Sequence, residues 1–290
     1  MTTTMIPETI STPIVFNDPT DHSGGVLAPA SGGAGVVATA SSFAGRTLKQ
    51  FVRTPQLIVL GAVTSTMFLL IFRYVFGGAI GTGSITYADF LIPGLAGAGA
   101  CFSGMGAAVG VAEDVDNGLF DRLRSLPIPR SAVLLGRSIA DTALIAWGLF
   151  VTIAVGFLTG FRFHGSVVDA GIGVGLCLVF GFAFSWPFIC MGLSAGNAQA
   201  ANGMSFLAFP LVFVSSAYVP VQSMPGWLRV VANHQPITFM VDAVRALSQG
   251  PAVEAALGHS AGFYVVRSLL WAAGIVAVFA PIAVARYRRG

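Results

Sequence analysis

Six long apolar runs, separated by charged, proline-rich or glycine-rich stretches, divide the chain into membrane-length and connecting segments. The runs cover about 55–76, 90–111, 138–160, 168–194, 200–219 and 263–284. Each is close to the roughly 20 residues that a helix needs to cross a hydrocarbon core of about 30 Å. The pattern predicts an all-α, polytopic membrane protein with six transmembrane helices inside a membrane domain over 55–290.

The connecting segments carry their own periodicities. Over 36–54, Val36, Ala40, Phe43, Thr47, Leu48 and Phe51 fall on one helical face, and Arg46, Lys49 and Arg53 fall on the other. That is the signature of an amphipathic interfacial helix. Residues 1–35, rich in Thr, Ser, Pro, Gly and Ala, bury too little apolar surface to order themselves and are expected to be a flexible tail. Between the second and third runs, Leu119, Leu123 and Leu126 share a face while Asp121, Arg122 and Arg124 point elsewhere. Pro127 and Pro129 then stop the helix. This short amphipathic helix fits a lever between membrane and soluble partner; a solvated connector would carry the same charges.

The long segment 220–262 holds two short helical patterns, 224–233 and 237–249, opened by Pro225 and Pro236. Each is too short to span and too apolar to float free. The expectation is a re-entrant hairpin dipping into the outer leaflet and lining the exit as an outer gate, with Pro225, Trp227, Pro236, Phe239, Asp242 and Arg245 as its gate residues and Trp227 and Phe239 as anchors. Asp242 and Arg245 stand three apart, at pairing distance on a helix. A surface hairpin with Trp227 at the interface is the plainer alternative.

Charge fixes the orientation. Of 15 basic residues, ten fall on one side of the six runs (Arg46, Lys49, Arg53, Arg122, Arg124, Arg130, Arg137, Arg286, Arg288, Arg289), and five on the other (Arg73, Arg162, Arg229, Arg245, Arg267). Basic residues concentrate on the cytoplasmic side, so both termini are expected to be cytoplasmic and the helix over 113–130 faces inward. Charged residues make up 9% of the chain, against about 25% in soluble domains. The basic excess therefore reads as topology and lipid attraction, not nucleic-acid binding.

Little chemistry is on offer. The single lysine, Lys49, follows no glycine, so no phosphate-cradling G-x-x-x-x-G-K-[ST] loop exists. The four histidines are scattered, and no G-x-S-x-G elbow occurs. Cys101, Cys177 and Cys190 lie in apolar runs and are expected to be buried, with neither disulfide nor metal. Asp141 is the one acid at membrane depth and is expected to pair with Arg137 at i, i+4. Ion-coupled transporters need intramembrane ionisable relays, which argues against a proton antiporter.

Two stretches carry a family resemblance. The run Glu113-Asp114-x-x-x-Gly118-x-x-Asp121-Arg122-Leu123-Arg124-Ser125-Leu126-Pro127, continuing through Arg130-Ser131-Ala132-Val133-Leu134 to Gly136-Arg137, resembles the inner loop of type-2 (ABC-2) permeases. It is most similar to the branch named for daunorubicin and doxorubicin resistance. The stretch from Pro220 through Met224-Pro225-x-Trp227-Leu228, with 233–247 after it, is similar to that family's outer re-entrant segment. The resemblance covers roughly 40–285. It implies a bacterial plasma-membrane exporter subunit that is not itself an enzyme. ATP and Mg would bind a separate ABC ATPase subunit, and a second permease chain, identical or paralogous, would complete the pathway. By the same resemblance Glu113, Asp114, Gly118, Leu119, Phe120, Arg122, Leu123 and Leu126 would couple to the ATPase, together with the interfacial helix.

The expected cargo is an amphipathic drug or lipid, because spans 2 and 5 offer Phe, Met, Gly and Ala without a fixed charge. Phe206, Phe209 and Phe213, with Tyr218, fit one stripe of span 5 and are expected to border the path. Such a stripe also suits a polysaccharide or teichoic-acid carrier, which stays open as a reading. A non-transporting membrane scaffold for a partner enzyme is the remaining alternative.

Overall fold

The structure, a computed structural model, describes residues 41, 44, 45, 49, 53, 55–81, 85–119 and 130–289. Among these the chain is all-helical, without a strand. Five helices are long and apolar enough to cross a membrane. They are α1 (Pro55–Ile71, extended by a π-helical turn Phe72–Phe76), α2 (Tyr87–Asp116), α3 (Arg130–Leu158), α4 (Val167–Gly192) and α10 (Ala261–Arg289). Between α4 and α10 lie five shorter helices: α5 (Ala198–Ser205), α6 (Ala208–Phe213), α7 (Gly226–His234), α8 (Pro236–Gln249) and α9 (Pro251–Leu257).

The stretch expected as one continuous span over 200–219 is broken, and the reason is local. Pro210 lacks an N–H and its ring crowds the carbonyl four residues back. That carbonyl, on Phe206, accepts instead from Phe209 N at 3.0 Å, so the helix is interrupted between α5 and α6. After Phe213 the serines compete for the backbone. Ser215 Oγ donates to Val212 O at 2.5 Å and its N donates to the same oxygen at 3.1 Å. Residues 214–219 therefore leave the helix.

The inner boundaries are corrected too. The loop expected over 113–137 is shorter, because α2 runs through Glu113 and Asp114 to Asp116 and α3 already begins at Arg130. A helix does not stop where the hydrocarbon stops; it stops where backbone chemistry stops it. Here Gly118, at φ 64°, supplies the left-handed residue that ends α2. Of the expected interfacial helix, Lys49 and Arg53 are helical and exposed, while Arg46 lies outside the described residues. Phe120, Arg122, Leu123 and Leu126, and the tail 1–35, also lie outside them.

α2 is the hub, packing against α3, α4, α5, α6 and α8. Nineteen of its 30 residues are buried, whereas Leu69 alone is buried among the described residues of α1. Small residues make this possible by letting backbones approach closely. Gly94 lies against the Ala217 backbone, Gly97 against Met240 and Val241, Gly104 against Phe188 and Gly110 against the Arg137 guanidinium. Gly99 and Gly106 face open space instead.

Candidate functional site

At the end of the bundle where α8 packs against the start of α2, a buried polar knot ties three elements together. Arg245 on α8, 2% exposed, donates from Nη1 to Asp242 Oδ1 at 2.7 Å. Its Nη2 donates to Ser216 O at 2.8 Å and to Phe90 O at 3.1 Å, and Nε donates to Phe90 O at 3.3 Å. The guanidinium lies 3.8 Å from the centre of the Phe90 ring. Ser216 Oγ donates to the same Asp242 oxygen at 2.7 Å, and Ser216 N donates to Thr238 Oγ1 at 3.3 Å. Irregular backbone at membrane depth survives only where protein satisfies it. Arg245, Thr238 and Tyr87 (Oη to Tyr218 O, 3.3 Å) do this for 214–219.

Of the residues expected at an outer gate, Asp242 and Arg245 are therefore joined as expected. Pro236 is the first residue of α8, and Phe239 is buried beneath Tyr264 and Arg267. Pro225 opens α7, its carbonyl receiving Leu228 N and Arg229 N. Trp227 is 73% exposed. The two helices of the hairpin are thus unlike: α8 is a core helix, α7 an exposed arm. The turn between α3 and α4 clamps the far end of α8. His164 N donates to Ser248 O at 2.8 Å, and Gln249 Nε2 donates to Arg162 O at 3.1 Å.

Beside this knot runs a ladder of rings. Phe206, Phe209 and Phe213 stack at 5.2 and 6.2 Å, Phe213 meets Tyr218 at 5.0 Å, and Tyr218 meets Phe72 of span 1 at 4.6 Å. Phe72 continues to Phe68 and Phe76 at 6.3 and 5.2 Å. The ladder borders a cavity of about 540 Å³ between α1, α2 and α3, with Phe68, Phe102, Phe209, Met105 and Trp147 in its walls. No charged side chain lines it among the described residues. Thr64, Ser65, Ser103, Thr152 and Tyr218 bring hydroxyls to its walls and Trp147 an indole N–H, with Ser65 and Thr152 hydrogen-bonded at 2.9 Å. A cavity of this size and lining suits a largely apolar molecule with hydrogen-bonding groups. Span 5's stripe was legible from spacing. Its continuation onto span 1 was not, because the 72–218 contact joins segments far apart in sequence.

Toward the opposite end of α2, Arg137 makes a second knot. Its Nε donates to both oxygens of Asp141 at 3.2 Å, as the i, i+4 spacing predicts. Nη1 reaches Asp114 Oδ2 at 3.5 Å and Nη2 donates to Gly106 O at 3.3 Å. Asp114 and Gly106 belong to α2, so Arg137 joins the two helices that flank residues 117–129. Glu113 is exposed on the last turns of α2, and Gly118 and Leu119 follow at its end. No cluster of three metal-ligating residues occurs among the described residues.

The sequence profile of the ABC-2 type transporter family matches residues 41–248. A daunorubicin resistance ABC transporter permease protein of Streptomyces coeruleorubidus is 31% identical over 245 residues, covering 84% of this chain and 83% of that protein. A probable doxorubicin resistance ABC transporter permease protein of Mycobacterium tuberculosis is 24% identical over 246 residues, 84% and 86% of the two chains. A putative transport permease of Cyanophora paradoxa is 22% identical over 204 residues, 68% and 70% of the two.

Proposed function

Because the chain belongs to the ABC-2 type transporter family, we propose that it exports an amphipathic, largely apolar drug or lipid outward across the bacterial plasma membrane. A separate ABC ATPase, holding ATP and Mg, drives it, and a second permease chain completes the path. The observation that carries this reading is the uncharged cavity beside the aromatic ladder: hydroxyls to orient a molecule, rings to stack on it, and no charge to grip an ion.

In this reading residues 113–130 form the coupling segment, with the interfacial helix over 36–54 beside it, and both termini are cytoplasmic. ATP binding draws the ATPases together and moves the coupling segment. Arg137 passes that movement into α2 and α3 as a unit. The cavity between α1, α2 and α3 then shifts its opening outward. The broken helix over 198–213 provides the sixth crossing, and the thinly covered α1 meets the second permease chain or lipid. The similarity to resistance permeases supports a drug cargo.

The ladder also supports a second reading, because a continuous line of rings along spans 1 and 5 suits a sugar chain sliding over their faces. One experiment separates them. Inside-out vesicles holding this chain and its partner ABC ATPase are given a fluorescent anthracycline or a lipid-linked polysaccharide. The drug reading predicts ATP-dependent, vanadate-sensitive uptake of the anthracycline alone. Uptake of the polysaccharide alone would replace it with the second reading, and uptake of neither would remove both.

A further inference from the structure

A second cavity, of about 370 Å³, opens between α2, α3, α4 and α8, at the outer end in the topology proposed above. It meets the proposed cargo cavity at Ala96 and Leu149 and is otherwise lined by different residues. Along α4 it runs from Val167 to Cys177, ten residues, or about 15 Å at helical rise. That is half of a hydrocarbon core of about 30 Å, the depth of one leaflet. The walls are apolar throughout that depth, from Phe161 and Phe163 at the mouth to Leu149 and Ala96 below. Three of its residues face outward toward lipid: Phe157, Val167 and Val174 are 45%, 90% and 39% exposed. The slot therefore opens sideways, at the level where acyl chains lie.

Charge gathers only at the mouth. Asp169 is the one charged side chain among the described residues lining the slot. Its Oδ2 accepts from Ser166 N at 3.0 Å and Ser166 Oγ at 2.7 Å, which fixes the carboxylate at the start of α4. Seven residues earlier, in the turn before α4, exposed Arg162 is held by Nη1 on Phe157 O at 3.2 Å and Phe161 O at 2.9 Å. A fixed anion and a fixed cation thus stand at the top of a leaflet-deep apolar slot. We propose that this slot is a binding site for an outer-leaflet phospholipid with an amine headgroup, one acyl chain in the slot, its ammonium toward Asp169 and its phosphate toward Arg162. A free cationic amphiphile would use the anion and the slot but leave the cation unmatched.

Gly173 gives the test. A Cβ there would meet Val244 Cγ1 at 3.8 Å and Leu247 Cδ1 at 4.0 Å, ordinary contact inside the slot, whereas Gly171 faces open space. The full-length protein is extracted from vesicles of equal parts phosphatidylethanolamine and phosphatidylglycerol, and retained lipid is counted by native mass spectrometry. The wild type is expected to keep one phosphatidylethanolamine per chain, Gly173→Leu to lose it, and Gly171→Leu to keep it. Asp169→Asn preserves an acceptor for the cap and removes the charge. It is expected to keep a lipid but to weaken the preference for phosphatidylethanolamine by up to about fivefold, the scale of one exposed ion pair. Equal retention by both leucine variants, or an unchanged preference in Asp169→Asn, would overturn the proposal. Release of the lipid by an anthracycline at the concentrations that saturate its transport would overturn it as well, by making the slot a cargo site.

Discussion

Two arginines grip α2, one near each end, and they are built differently. Arg245 is dry: one carboxylate, two backbone carbonyls and the face of a ring enclose it at 2% exposure. Arg137 has an 18% exposed side chain and lies between two carboxylates, on α2 and on its own helix. The Arg245 knot closes backbone gaps that the irregular segment after α6 leaves open, so it can have only one arrangement. The inner knot satisfies no irregular backbone. Its carboxylates sit on different helices, so it can transmit a movement and re-form. One is a lock and the other a joint, beside the segment proposed to couple to the ATPase.

The largest effect should come from breaking the lock. Arg245→Ala strands the Asp242 charge and the Phe90 and Ser216 carbonyls, and breaking a buried pair costs about 3–5 kcal/mol. The variant is expected to be degraded or to aggregate on extraction, as size-exclusion chromatography will report. Asp242→Leu with Arg245→Leu removes both charges and should recover part of the yield, since apolar replacement of a whole buried pair is often tolerated. If Arg245→Ala were as well folded as the wild type, the outer knot would be ornament.

Breaking the joint should do less to folding and more to coupling. Arg137→Ala removes charge-assisted hydrogen bonds worth about 1.5–3 kcal/mol between them, in a partly wet place. It should still assemble with its ATPase, yet ATP hydrolysis in vesicles should lose its stimulation by cargo. Normal cargo stimulation would move the transmitting contact elsewhere. A smaller change tests the packing around α8. Gly97→Leu must displace Met240 and Val241, and overpacking of this kind costs about 1–3 kcal/mol. A lowered thermal midpoint is expected, whereas Gly99→Leu, which points into the cargo cavity, should lower transport and leave the midpoint nearly unchanged.

The two knots also mark what a sequence can disclose. Spacing alone pairs Asp242 with Arg245 and Arg137 with Asp141, because i, i+3 and i, i+4 neighbours are fixed by the helix itself. It cannot find Phe90, Ser216, Gly106 or Asp114, since those contacts cross 155, 29, 31 and 23 positions. The hairpin helices were legible in their bounds, from two proline entries, but not in their fates. Twelve of fourteen residues of α8 are buried, whereas Ala232 alone is buried in α7. Both have mixed apolar and polar composition, and burial depends on neighbours that the local pattern does not name. The break at Pro210 was readable and follows from the ring's missing N–H. Helix α9, framed by Gly250 and Gly258 at positive φ, was readable in the same way from its glycine and proline punctuation.

The central claim is that nucleotide state at the inner joint is felt at the outer end, and exposed α7 is where it should be seen. A single cysteine at Trp227, in the chain assembled with its ATPase in proteoliposomes, is labelled with a membrane-impermeant maleimide. Labelling is timed without nucleotide and after trapping with ATP and vanadate. The account predicts a clear change in labelling rate on trapping, abolished by Arg137→Ala, while a cysteine at exposed Ala252, just past the clamped α8, keeps a constant rate. An unchanged rate at position 227 in an assembly that hydrolyses ATP would contradict it.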